Sequence, residues 1–272
     1  MKPVTIIGAG AVGRSIALDL FYKGVPIAGV YSQSGRTAKV IGKKVQARYS
    51  GAFDKKSVLS DVIIIAVPDI EIKNVAAVIS SISSSLKNSV IVHTSGAFSS
   101  AELQLLRKRG GSTGSFHPMQ TFPRTKQSRL RGIWIAVEGD ARAVDYCRRV
   151  AKLLGAHTFP ISKEAKVLYH MAGVFASNYF VTLLSAVEKL AVESGIPPSL
   201  IWKIYQPIIG QTLRNVVGSS PASALTGPIA RGDTETVIRH LRALSAKKMS
   251  HLAALYSSLG IETVRLAKEK RQ

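Results

Sequence analysis

Three glycines directly behind an apolar run constrain this chain more than any other feature. Val4–Ile7 is short and β-branched, Gly8-Ala-Gly10-Ala-Val-Gly13 follows at once, and Val12, Ile16, Ala17 and Leu20 then recur at helical spacing until Gly24. Strand, glycine turn and helix in that order form the opening of a dinucleotide-binding unit. The first glycine allows the tight turn, the second admits phosphate to the backbone, and the third lets helix pack on strand. Amides at the helix start and the helix dipole then face the diphosphate. Gly8, Gly10, Ala11, Val12 and Gly13 are therefore candidate cofactor contacts.

The next strand, Ile27–Tyr31, selects between nicotinamide cofactors. NAD-binding chains place a carboxylate at its end for the ribose hydroxyls. Here Tyr31-Ser-Gln-Ser-Gly-Arg36 has none. Ser32, Gln33, Ser34 and Arg36 offer donors for a 2′-phosphate, with arginine able to supply a two-pronged fork. NADP (NADPH) is the expected cofactor. Val67 and Pro68, and Ser95 and Gly96 in His93–Ala97, fall where later strands end, beside the expected nicotinamide. His93 itself reads as structural, and Asp69 reads equally as a helix cap.

Further strands are expected at Val62–Val67, Val90–His93, Ser112–Phe116 and Ile133–Val137, alternating with helices as in a parallel sheet. Ser99 to Glu102 has capping-box spacing. Strands cease near Phe159-Pro160, and helices follow: 163–194, 199–217, 234–246 with Asp233 as N-cap, and more to the end, with a Gly/Pro/Ser-rich loop over 218–232. The fold class is α/β: a Rossmann domain over 1–160, then an all-α domain over 161–272.

The 272 residues are 46% hydrophobic, enough for a sizeable core, and 37 basic against 16 acidic residues give +21. Such a field favours anionic partners, yet the basic residues are dispersed and not interleaved with aromatics, so nucleic-acid binding is not expected. Apolar runs such as Asp61–Pro68 fall short of the roughly 20 residues of a membrane span. No apolar leader is read before Val4. One cysteine, Cys147, excludes an intramolecular disulfide framework and a cysteine metal cluster, which fits a cytoplasmic protein.

Six histidines are present. His117, ahead of Pro118 at a strand end, either reaches the cleft as a proton donor or orders the His117–Phe122 loop. Lys166, His170, Val174 and Asn178 follow one another in steps of four along one helix. His170 and Asn178 are candidates for the chemistry, or else contacts to a neighbouring helix, and Lys166 is expected in solvent. Thr226 and Arg231, in Leu225–Asp233, are candidate substrate contacts.

Together, Gly8–Gly13, His93–Ala97, His117–Phe122, Leu225–Asp233 and the Ala172-to-Asn178 spacing resemble the superfamily of pyrroline-5-carboxylate reductase and 6-phosphogluconate dehydrogenase-like enzymes. The likeness is greatest to a branch of Rossmann-like NADP oxidoreductases without a settled substrate. The resemblance implies a 6-phosphogluconate-dehydrogenase-like helical C-terminal domain, dimerisation through its helices, and hydride transfer between NADPH and a C=O or C=N group. The substrate is expected to be small and anionic. One departure stands out. The β-hydroxyacid dehydrogenases carry a lysine four residues before their helix asparagine, where this chain has Val174. A non-catalytic NADP-binding sensor or scaffold is therefore the alternative.

Overall fold

The computed structural model describes residues 1–270 except Ser84 and 124–127. Contacts divide the chain into two compact units, residues 1–179 and 180–272. The first unit is built on eight strands: β1 (Val4–Ile7), β2 (Ile27–Ser32), β3 (Tyr49–Ala52), β4 (Val62–Ile65), β5 (Val90–His93), β6 (Ser112–Pro118), β7 (Trp134–Gly139) and β8 (His157–Pro160). They form one sheet in the order β3-β2-β1-β4-β5-β6-β7-β8.

Alternation along the strands divides the core into two layers, as a sheet buried on both faces requires. Val4, Ile6, Val62, Ile64, Val90 and Val92 face one layer, shared with α1 (Ala11–Tyr22), α2 (Arg36–Lys44) and α5 (Ala141–Leu154). Ile7, Ile63, Ile65 and Ile91 face the other, shared with α3 (Ile72–Ile82) and α4 (Gln104–Lys108). Chain order reverses between β1 and β4, and the carboxyl ends beside that reversal are where open α/β sheets bind ligands.

The sheet corrects the sequence reading in three places. β7 runs antiparallel to β6, whereas every other pairing is parallel. A parallel neighbour needs a crossover, and no helix lies among the described residues between β6 and β7. Strands β3 and β8 are additional: the first is the Gly- and Ser-bearing edge Tyr-Ser-Gly-Ala, and the second ends on proline. The expected capping box is half built. Ser99 accepts from Ala101 N–H at 3.4 Å, but Glu102 pairs with Lys73 at 3.5 Å.

After β8, helix runs from Lys166 to Glu193 as α6 (Lys166–Val174), a π-helical stretch Phe175–Tyr179, and α7 (Phe180–Glu193). By length and composition this helix could cross a membrane, its most apolar window having mean hydropathy 1.3. The sequence reading missed that property because it weighed unbroken apolar runs, and isolated polar residues interrupt this one. The second unit continues with α8 (Pro198–Gly218), the short α9 (Pro221–Ala224) and α10 (Pro228–Arg231) where an open loop was expected, then α11 (Thr234–Ala246) and α12 (Ser250–Glu269). Asp233 caps α11, accepting from Thr236 N–H at 3.0 Å.

Candidate functional site

Tight backbone registration places the glycine turn. Gly8 N–H donates to the Tyr31 carbonyl at 2.8 Å, and Ala66 N–H to the Ile7 carbonyl at 2.7 Å, tying the ends of β1, β2 and β4 together. Gly8 has φ +106°, and a Cβ there would stand 2.3 Å from the Ala66 oxygen. A Cβ on Gly13 would stand 1.8 Å from the Gly8 oxygen, so α1 meets β1 backbone to backbone. Gly10 differs: a Cβ would have nothing within 4 Å. It is the N-cap of α1 without a side-chain capping bond, and the first turn holds no acidic residue. The amides of Ala11, Val12 and Gly13 thus begin a helix open to an anion.

A cleft of about 580 Å³ runs from this turn, lined by Gly8, Gly10, Ser32, Gln33, Ser34, Val67 and Pro68 among others. Thr37 lines it too, its hydroxyl donating to Ser32 Oγ at 3.3 Å. Arg36 is exposed at the first position of α2, whose N-cap, Gly35, has φ +74° and brings no side-chain capping bond. Backbone openings and donors at both ends of the cleft fit the diphosphate and 2′-phosphate of NADP, which is the group the residues present could hold.

A second cleft, about 470 Å³, is lined by His117, Met119, Gln120, Thr121, Phe122, His170, Gly173, Val174 and Ala176–Asn178. His117, His170 and Asn178 are thus brought together. The helical stripe reaches the cleft through the π stretch, which also turns Ser177 to it; such one-turn widenings recur at functional sites. Regular helical spacing could not have indicated Ser177.

Lys166, expected in solvent, is wholly buried. Its Nζ donates to the Ser95 carbonyl at 3.1 Å and to Ser115 Oγ at 2.8 Å. Burial lowers its pKa to about 8 against the opposing pull of Glu138 and Asp69. Glu138 is itself buried, accepting from Ser100 N–H at 2.8 Å and Ser100 Oγ at 2.6 Å. This anchoring of α6 to the turn after β5 and to the middle of β6 explains why the first unit extends past residue 160, where the strands end.

Ser95 lines neither cleft. It is buried, and its hydroxyl accepts from Phe98 N–H at 3.0 Å. His93 serves the same turn, accepting from Ser95 N–H at Nδ1 (3.2 Å) and facing the Ser99 carbonyl with Nε2 (3.0 Å). Burial lowers its pKa to about 4, so it is uncharged at neutral pH. Gly96 lies under two imidazoles: a Cβ there would be 2.6 Å from His170 Cδ2 and 2.7 Å from His117 Nε2. Thr226 and Arg231 belong to the second unit, both exposed, with Arg231 ending α10. No group of three or more metal-ligating side chains occurs among the described residues.

Two domain models match this architecture. Residues 2–118 match the Rossmann-like domain, and residues 133–263 match the Domain of unknown function (DUF2520). No curated protein matches in sequence. Among solved structures, the chain is similar to a "putative NADP oxidoreductase" from Bacteroides fragilis (24% identity, TM-score 0.81, covering 97% of this chain and 98% of that one). It is similar to protein TM1727 from Thermotoga maritima (26%, 0.74, 99% and 100%). A reductive aminase from Aspergillus terreus in complex with NADPH and ethyl-5-oxohexanoate shares the fold at 17% identity (0.69, 100% and 95%).

Proposed function

We propose that this protein is an NADP-dependent oxidoreductase that transfers hydride between NADPH and the C=O or C=N group of a small compound. The uncapped start of α1 at Gly10, opening onto the cleft that ends at Ser32–Thr37, carries this reading. When bound, the nicotinamide supplies or accepts the hydride. This chain's residues do the rest: the α1 amides hold the diphosphate, Arg36 and Ser34 select the 2′-phosphate, and His117, His170 and Asn178 surround the acceptor group. Structural neighbours include proteins whose names specify NADP or NADPH, which agrees with this cofactor.

The anionic character proposed for the substrate rests on the +21 charge, since the described residues lining the second cleft include no Lys or Arg. Homodimerisation is supported by apolar side chains left exposed on the helices, among them Leu168 (70%), Ile208 (63%) and Val217 (78%). A cytoplasmic location accords with a single, buried cysteine.

Val174 at the place of the β-hydroxyacid dehydrogenases' lysine favours a second reading, a non-catalytic NADP sensor or scaffold. Calorimetric titration with NADPH and NADH tests the cofactor claim. Arg36→Ala should weaken NADPH by about tenfold or more, as loss of a charge-assisted bond of ~1.5–3 kcal/mol implies, and leave NADH nearly unchanged. Equal losses would remove the 2′-phosphate assignment, and no heat with either nucleotide would remove the proposal. Binding without NADPH oxidation across a wide panel of carbonyl and imine compounds would favour the sensor.

A further inference from the structure

Tyr169 was not among the residues the sequence singled out, yet its hydroxyl stands 2.9 Å from His117 Nδ1. The two rings meet edge to face, with centroids 5.5 Å apart and an interplanar angle of 90°. On another side His170 presents its ring with centroids 6.0 Å apart. His117 Nε2 and Cε1 lie 2.7 and 2.8 Å from where a Cβ of residue 96 would stand, room that only glycine leaves. The orientation of the His117 ring is therefore fixed: Nδ1 against Tyr169, Nε2 over Gly96 beside the cleft.

We propose that Tyr169 is a positioning residue whose hydroxyl donates to His117 Nδ1, holding the imidazole uncharged with its proton on Nε2 as the donor to a carbonyl oxygen or imine nitrogen. This rests on the oxidoreductase reading for its acceptor, but not for the state of the ring. A phenol O–H is a stronger hydrogen-bond donor than an imidazole N–H, and a bare imidazole nitrogen a stronger acceptor than a phenol oxygen, so the pairing favours Tyr169 O–H donating to Nδ1. Burial pushes Tyr169 up to about 12, which keeps it a phenol. Burial first, then electrostatic repulsion from Lys166 and the imidazoles of His170 and His93, lowers His117 to about 4. An imidazolium is thus not the acid available near neutral pH.

The uncharged ring can still deliver a proton, provided it is replaced at the other nitrogen. As hydride adds to a carbonyl carbon, the π pair collects on oxygen, and that oxygen takes the Nε2 proton. Nδ1 takes the Tyr169 proton as its new N–H bond forms, and the negative charge comes to rest on the phenol oxygen. Nδ1 then returns that proton to the phenolate as Nε2 takes up a proton from solvent, the one the net reduction consumes, which restores the starting tautomer. Charge and protons balance, and the direction is favourable because an alkoxide is a stronger base than a phenolate. The imidazole never becomes cationic, as the neighbouring Lys166 ammonium demands. The same arrangement accounts for two adjacent aromatic residues, Tyr169 and His170, both turned to His117.

The test is a nitrogen-15 NMR measurement on protein labelled at histidine, which reads the tautomer of each ring without cofactor or substrate. His117→Gln assigns the His117 signals. In the wild type, Nδ1 should be unprotonated and Nε2 protonated, with no titration over roughly pH 5 to pH 8. Tyr169→Phe should convert the signal to a mixture of tautomers, while calorimetry with NADPH gives a dissociation constant within about twofold of wild type. A proton on Nδ1 in the wild type overturns the proposal, as does a tautomer unchanged in Tyr169→Phe. Should that variant fail to fold, the wild-type spectrum alone decides. Absence of NADPH binding by the wild type would refute the oxidoreductase reading and leave the tautomer assignment to stand or fall on the spectrum.

Discussion

Gly10 and Gly13 belong to one motif, yet the structure predicts opposite consequences for replacing them. Gly10 sits at φ −73°, ψ −167°, an extended conformation open to any residue, and a Cβ there meets nothing within 4 Å. Gly10→Val should cost the fold about 1 kcal/mol, the penalty of an apolar N-cap. In the complex, the same side chain fills the space through which diphosphate reaches the α1 amides. Loss of two charge-assisted hydrogen bonds, at the low end of their range, is about 3 kcal/mol, or more than a hundredfold in Kd. Gly13→Ala drives a Cβ to within 1.8 Å of the Gly8 carbonyl oxygen, a backbone atom that cannot move aside without shifting β1. It should destabilise the protein by about 3 kcal/mol or more, lowering Tm by roughly 6–12 °C. Thermal unfolding without ligand and calorimetric titration with NADPH separate the two effects. Gly10→Val that binds NADPH as tightly as wild type, or that melts as early as Gly13→Ala, would refute the reasoning.

Lys166, the buried His93 and the partly buried His117 each make stability depend on pH. Lys166 falls from its ordinary 10.5 to about 8, so between about pH 8 and 10.5 the unfolded chain holds more protons than the folded one, and stability rises with pH through that window. The gain is at most on the order of 3 kcal/mol, and denaturant titrations should show it in the wild type and not in Lys166→Met. His93 and His117 fall from 6.5 to about 4, so the folded state resists protonation that the unfolded chain accepts, and stability declines as pH drops from about 6.5 to 4. His117→Gln should flatten that decline, and an acid limb as steep as wild type would show that His117 is not held neutral.

The nucleotide half of the fold was legible because its signals are local. β1, β5 and α11 fall where hydrophobic period and caps place them, and Gly24 ends the α1 region with φ +75° as expected. The missing pieces share a physical reason: their identity is set by partners distant in sequence. β3 has little apolar pattern and exists because β2 offers its edge, Gly29 to Ser32 pairing with Tyr49 to Ala52. The antiparallel turn at β7 depends on pairing of His117 with Ala136, which no local period encodes. In the candidate site, the stripe of Lys166, His170, Val174 and Asn178 was readable, but its first member was assigned to solvent. Lysine is rarely buried, and only the acceptors at Ser95 and Ser115, 71 and 51 residues away, make burial affordable here. Tyr169 escaped notice for a related reason, since a tyrosine in an apolar helix looks like packing until its hydroxyl partner is known.

Charge acts on this protein at two ranges, and they do different work. The surplus of +21 is spread over the chain and is felt over about a Debye length, roughly 10 Å at 0.1 M salt, where it raises the local concentration of anionic molecules without choosing among them. Among the described residues, those lining the histidine cleft include no Lys, Arg, Asp or Glu. In the proposed reaction, recognition by those residues runs through hydrogen bonds to the side chains of His117, His170, Ser177, Asn178 and Gln120. Polar groups of this kind discriminate once a ligand covers them, because a compound that leaves them unpaired forfeits ~1–3 kcal/mol for each. Lys166 connects the two ranges. Its ammonium is withheld from the lining, yet its field is one reason the ring at the mouth of the cleft stays neutral. A lysine placed in the cleft, as at the position of Val174, would offer a proton directly; with the lysine held beneath it, the proposed reaction gives that task to the imidazole and to the phenol behind it.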